Sequence, residues 1–363
     1  MKSFLLILTS IFVTSQYANS QGCVAIRSVG GVCTMDHMNH INKDSAAPAW
    51  MFSMNNRYFE SFRHFVGTDE QKQRVDGGTE VINHAYSMDL GMVRNLNDRW
   101  SLALYAPIIS NTRSSLYEHG GKERHSTQSF GLGDIRAVAY YWLLNPAKSM
   151  KGNIQAGMGI KLPTGDFRYQ DRFYTATAGV TVMGPVDQSI QLGDGGTGFT
   201  TELNAYYNLS RSISVYGNFF YLINPREQNG VSTARGGTPS ASSILYGSDV
   251  MSVPDQYMYR FGANFTTKQL TLTAGLRKEC IPVYDLIGGS NGFRRPGYVV
   301  SVEPGITYAL RKVNLYAYVP VAIVRNRTQS VPDKIRTDIT GVYAQGDAAF
   351  ADYAVNIGFS VRF

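Results

Sequence analysis

The 363-residue sequence predicts an all-β fold, a transmembrane antiparallel up-and-down β-barrel of about twelve strands with long external loops. Three observations carry this expectation. The chain ends on "ADYAVNIGFSVRF", in which every second residue from Ala351 to Phe363 is apolar and the residues between them are mostly polar or small. Strict alternation describes a strand with a different environment on each face. About a dozen stretches repeat the pattern, and the connections between them alternate short and long, as in outer-membrane barrels.

Composition agrees. Aromatic residues reach 12%, with 23 Tyr and 18 Phe, and there are 36 Gly. Mean hydropathy is slightly negative, which suits a barrel with aromatic girdles better than a helical membrane protein. No stretch after the leader approaches the ~20 apolar residues of a spanning helix. The net charge of +7 is scattered, without the dense Lys/Arg cluster that binds nucleic acid.

In chain order, "MKSFLLILTSIFVTSQYANSQG" reads as a secretory signal, residues 1–20. Lys2 is its basic start, an apolar stretch follows, and small residues at Ala18 and Ser20 suggest cleavage before Gln21. The alternative is lipoprotein processing at Cys23, but Ser20 stands where an aliphatic residue is wanted. Residues 21–49 form a periplasmic N-terminal segment and a candidate plug. Cys23 and Cys33 lie close together in an exported chain and are expected to form a disulfide. Cys280 reads as a small packed side chain.

The barrel is expected over residues 50–363. Strands are expected near 50–66, 80–95, 98–112, 130–144, 150–163, 197–209, 212–224, 256–267, 269–281, 298–310, 312–325 and 349–363. Each meets the ~9–11 residues a tilted strand needs to cross a bilayer. Short turns at 95–98, 145–149, 209–212, 266–268 and 310–312 read as periplasmic. Long connections at 67–79, 113–129, 164–196, 225–255, 282–297 and 326–348 read as external.

Parity assigns the faces. Trp100, Leu102, Leu104, Ile154, Met158, Ile160, Tyr257, Tyr259, Phe261, Leu272, Leu315, Val319 and Ile323 point to lipid. Arg57, Arg63, Asp89, Arg136, Lys161, Glu202, Arg260, Arg277, Glu279, Glu303, Asp352 and Arg362 fall on the opposite parity and are expected to line the lumen. Charges cost a few kcal/mol each on a lipid face, so their steady placement marks the wet side. A C-terminal aromatic on an alternating last strand, with Phe359 and Phe363 in place, resembles the signal read by the bacterial barrel-assembly machinery.

"GLGDIRAVAYYWLL" (from Gly131) followed by "GIKLPTGD" (from Gly159) resembles the outer-membrane transporter family named for the meta-pathway of phenol degradation. In that family a Gly-Leu-Gly-Asp strand start precedes a Lys-Leu-Pro-Thr-Gly-Asp strand end. Both match here, at Gly131 to Asp134 and Lys161 to Asp166, over about a tenth of the chain. The resemblance implies passage of small, often aromatic, molecules. "RYFESFRHFVG" also looks like a first strand of exported Bacteroidota-type barrels.

Other chemistry is weak. Asp166, Asp171, Asp187 and Asp194 could supply oxygens to Ca²⁺, but the spacing fits no EF-hand, and "GDGGTG" lacks the Lys-Ser/Thr of a phosphate loop. "CTMDHMNH" holds Cys33, Met35, His37 and His40, short of a full copper site. His84 and Ser87 are three apart and point to opposite faces, while His125 and Ser126 are expected in a loop, so no nucleophile meets a base. The sequence therefore implies no cofactor, no resident metal and no enzyme. It implies a channel for a small solute, in contact with outer-membrane lipid and assembled by the barrel machinery. The alternative is a non-conducting barrel whose loops engage a partner. Oligomeric state is undefined.

Overall fold

The computed structural model describes residues 50–149 and 151–363. The signal, the N-terminal segment and the Cys23–Cys33 pair lie outside the described residues.

Twelve strands close into a barrel. They are β1 (Trp50–Val66), β2 (Ile82–Asn95), β3 (Trp100–Ser115), β4 (His125–Leu132, then Arg136–Trp142), β5 (Gly152–Lys161) and β6 (Gly198–Asn208). β7 (Ile213–Ile223), β8 (Gln256–Thr267), β9 (Leu270–Ile281), β10 (Gly297–Ala309), β11 (Val313–Tyr318, then Val321–Arg327) and β12 (Ala348–Arg362) complete it. Each pairs antiparallel with the next, and β12 pairs with β1 from Met51↔Arg362 to Phe65↔Ala348. The seam is tied at its end by reciprocal Trp50–Phe363 backbone hydrogen bonds of 3.1 and 3.0 Å. The alternating last strand is thus the closing strand, and closure removes the free edge.

Two strands depart from the expected continuous form. β4 starts at His125 and pairs with β3 from Ser115↔His125 to Ile108↔Leu132, so His125 and Ser126 belong to a strand and not to a loop. It then breaks at residues 133–135, where the Asp134 carboxylate accepts backbone N–H bonds from Gly165 (3.0 Å) and Asp194 (3.2 Å). β11 breaks at Val319 and Pro320, because proline has no N–H to give a ladder. Val319 therefore lies half-buried in a break and does not continue the lipid face.

The outer surface is apolar, with Leu102, Leu104, Met158, Phe261, Leu272, Ile323 and Ile357 exposed. At the short-turn rim Trp50, Trp100, Tyr207, Tyr308 and Phe363 form an aromatic ring. Arg94 and Lys151 lie over the rings of Trp50 (4.9 Å) and Tyr207 (5.6 Å), so cationic tips sit at the wet boundary. Phe359 packs 6.0 Å from Phe52 across the seam. Tyr257 keeps the outward parity but is only 6% exposed, because it stacks on Tyr221 at 5.7 Å.

The inner wall explains the abundance of Tyr and Gly. Tyr105, Tyr140, Tyr216, Tyr318 and Tyr316 stand directly opposite Gly91, Gly157, Gly262, Gly305 and Gly358 on the neighbouring strand. A Cβ at Gly157 would sit 2.6 Å from the Tyr140 ring, and the other four glycines are similarly overlaid by their tyrosines. Each ring therefore lies flat on the wall where its partner has no side chain.

Candidate functional site: the charged interior and its mouth

Period-two alternation sends one residue in two toward the axis, and on seven strands it sends charges there. Arg57 of β1 reaches Glu279 of β9 (3.2 Å), and Glu279 also holds Arg277 (2.7 Å). Arg277 continues to Glu303 of β10 (3.2 Å), which also bonds Arg260 of β8. Opposite this chain, Arg136 of β4 bonds Glu202 of β6 at 2.6 Å. Glu202 takes a second bond from the Tyr140 hydroxyl at 2.9 Å. The Arg136 guanidinium lies 4.8 and 5.2 Å from the ring centres of Tyr105 and Phe220. Asp89 of β2 is close enough to act on both Arg57 and Arg136. The Glu202 and Glu303 side chains are only 2% and 1% exposed, a state carboxylates tolerate only when paired.

The remaining expected residues sit elsewhere. Lys161 bonds Asp194 and lies 3.5 Å from Asp134, at the end of β5. Arg362 is half-buried at the short-turn rim. Arg63 and Asp352 meet at 2.7 Å, toward the long-loop ends of β1 and β12, beside a register shift of β1 between Phe59 and Arg63.

The motif pair noted in the sequence forms a clasp. Thr164 Oγ1 donates to Gly133 O (2.9 Å) and accepts from Ile135 N (2.8 Å). A Cβ at Gly193 would lie 2.5 Å from Asp134 Oδ1, and one at Gly165 would lie 2.6 Å from Leu192 O. The segments around 131–134, 161–166 and 192–196 therefore interlock backbone to backbone, which is why they are rich in glycine.

The connection at 162–197 folds inward over the mouth. Val186 and Ile190 are fully buried and Leu192 nearly so. Asp187 caps a short turn by accepting from Ser189 N (3.0 Å), and Ser129 of β4 donates to Ile190 O (2.5 Å). Arg295 grips Asp187 with two bonds of 2.8 and 2.7 Å. Arg113 and Arg235 lie 3.6 and 3.8 Å away and share Glu118. Burial by itself would raise the Asp187 pKa, but Arg113, Arg295 and Arg235 outweigh it and hold the carboxyl well below its usual range. Glu118 is lowered in the same way, chiefly by Arg113 against its burial.

These contacts engage the four aspartates weighed for calcium with other partners. Asp171 accepts from Gln128 N, Asp166 from Arg168 N, Asp194 pairs with Lys161 and Asp187 with arginine. The four carboxylates are spent separately, and no metal-sized group of three acidic, His or Cys side chains exists among the described residues. The mouth lock itself was not visible in the strand pattern. Its partners lie in connections without periodicity, and only "VDQS", an Asp two residues before a Ser, hinted at a capped turn.

No protein-family model and no curated protein matches the chain. Solved structures do. An outer-membrane channel from Pseudomonas putida F1 is 12% identical, covers 89% of this chain and 99% of its own, and superposes with a TM-score of 0.57. The translocator domain of the autotransporter NalP from Neisseria meningitidis is 12% identical, covers 91% and 92%, and scores 0.47. The CymD monoaromatic hydrocarbon channel is 10% identical, covers 92% and 93%, and scores 0.40. The first of these shows the fold of an outer-membrane β-barrel. With its closed wall, apolar outer band and aromatic ring, the chain is a protein of the Gram-negative outer membrane.

Proposed function

We propose that the barrel is a channel for passive passage of a small, apolar or aromatic molecule across the outer membrane. The inner wall carries this reading. A lumen packed only for stability would interdigitate its side chains. Here five tyrosines are laid flat over glycines, and the charged residues are paired among themselves. Beside the Arg136–Glu202 pair, Tyr105, Tyr140, Phe220, Leu222 and Met258 offer ring faces and apolar surface. That chemistry suits an uncharged aromatic better than an ion. The resemblance to the meta-pathway family supports the same class of function, as does the shared fold of the Pseudomonas putida outer-membrane channel.

A second reading, a closed barrel whose long loops engage a partner, draws on the infolded 162–197 segment. Single-channel recording of the purified, folded protein separates the two. The channel reading expects small discrete steps that grow in Asp187→Ala/Arg295→Ala, where the mouth lock is lost. Silence in both proteins would favour the loop-binding reading.

In this assignment the short turns face the periplasm and the long loops face outward. Residues 21–49 lie outside the described residues; as a candidate plug they give one test, in which deleting 21–47 behind the same signal is expected to raise conductance.

A further inference from the structure

One stretch of the wall is not closed by a ladder. Below the Val319–Pro320 break, β11 pairs with β12 from Val313↔Val361 to Tyr318↔Asn356. Above the break the register holds a single pair, Val321↔Tyr353. The upper piece of β11 stays with β10 from Val302↔Val321 to Gly297↔Arg327. The upper part of β12 stays with β1, up to Phe65↔Ala348. The two halves rejoin only at the top, where Gly67 and Arg327 exchange backbone bonds of 2.8 Å.

Side chains span the stretch between. Arg325 donates to Ala351 O (3.1 Å) and to the Asp352 carboxylate. Asp352 also holds Arg63 (2.7 Å), and Arg63 is gripped by Glu70 through two bonds of 2.7 Å. The Arg63 and Arg325 guanidinium groups both lie over the Phe65 ring, at 5.7 and 5.6 Å, so the charges share the inner face with an apolar cluster. Inside, Phe65 and Phe350 pack edge to face at 5.5 Å, with Ala348 and Val299 against them. Outside, Val321, Ile323, Val324 and Tyr353 are exposed at 43, 56, 36 and 55%. A run from Phe363 at the short-turn rim to Tyr353, at ~3.3 Å per residue and a ~40° tilt, rises about the ~25 Å height of the apolar band. The unladdered stretch therefore opens at the outer boundary of the hydrocarbon.

We propose that this stretch between upper β11 and β12 is a side portal. Through it an apolar solute passes between the barrel interior and the surrounding lipid, and the Arg325–Asp352–Arg63 bridge is its latch. A continuous ladder could open only by breaking several backbone bonds at once. Here opening needs only the swing of long side chains at a partly wet site, where ion pairs are weak. The inference rests on the channel reading and adds a route to it.

The test uses the full-length protein in cells with an intact outer membrane, following uptake of radiolabelled toluene, with planar-bilayer ion conductance as the lumen control. Heat-modifiability confirms assembly of each variant. Arg325→Ala/Asp352→Asn removes the latch and is expected to raise toluene uptake several-fold while conductance stays within twofold. Val324→Trp, on the exposed outer face of upper β11, covers the stretch from the lipid side. It is expected to reduce uptake toward that of cells lacking the protein, with conductance unchanged. If the wild type raises toluene uptake and both assembled variants behave like it, the portal is wrong and the channel reading stands. If both variants alter uptake and conductance in proportion, the solute runs only along the axis and the portal is again wrong. A wild type with neither uptake nor conductance overturns the channel reading and the portal with it.

Discussion

At the scale of single residues, burial makes the interior charges mutually dependent. Glu202 has two partners, Arg136 and the Tyr140 hydroxyl. Removing Arg136 leaves a carboxylate that is 2% exposed with one neutral donor. Stranding a buried charge costs about 3–5 kcal/mol, whereas replacing both members by shapes of similar size is often neutral. Arg136→Ala is therefore expected to lower the urea midpoint of the folded barrel strongly. Arg136→Met/Glu202→Gln is expected to recover most of that loss. Equal midpoints for the two variants would show that water reaches Glu202.

Asp347, just ahead of β12, gives a pH dependence. Burial would raise its pKa from 3.8, but the bonds from His64 (3.0 Å) and Arg74 (2.9 Å) outweigh it and hold the carboxyl at about 2. A depressed folded-state pKa gives stability that is present above the unfolded value and lost on acidification. Here the loss falls between roughly pH 4 and pH 2, and amounts to about 2 kcal/mol. Limited proteolysis with an acid-active protease is expected to leave the 328–347 connection protected at pH 5 and cut at pH 2.5. Asp347→Asn is expected to be cut at both.

At the scale of elements, the Gly–Tyr pairing sets what each strand can carry. A β-branched residue at Gly157 would meet the Tyr140 ring at the Cβ, 2.6 Å away, and force it off the wall into the axis. Gly157→Val is expected to impair assembly, read as loss of the heat-modifiable band, and Gly157→Val/Tyr140→Ala to restore it. Failure of the double variant would mean that the glycine is needed for its backbone and not for the space above it. The two broken strands belong to the same scale. β4 is interrupted where Asp134 is occupied by two loop amides, and β11 where Pro320 interrupts the ladder. In both places a connection or a change of partner competes with the sheet for backbone bonds.

For the whole molecule, orientation decides which connections meet the medium, and labelling reads it directly. Lys122 and Tyr343 are exposed on long connections, and Asn97 is exposed in a short turn. Cysteines at Lys122 and Tyr343 are expected to react with a membrane-impermeant maleimide on intact cells, and one at Asn97 only after the outer membrane is permeabilised. Equal labelling of all three would refute the assignment of short turns to the periplasm.

The sequence alone determined strand number and the closing role of the last strand. These follow from local alternation, because a strand between lipid and a wet interior must repeat every two residues. The burial of Arg57, Arg260 and Glu303, on the parity opposite the exposed apolar residues, follows from the same alternation. Which charges meet was decided only by closure, which brings β1 across to β9, 222 residues apart in the chain for Arg57 and Glu279. Tertiary structure likewise decided the infolding of 162–197, the spending of Asp166, Asp171, Asp187 and Asp194 on separate partners, and the gap beside Pro320. Each depends on contacts between segments whose meeting no local pattern encodes. Their energy comes from burying ion pairs and backbone bonds that exist only once the barrel has closed.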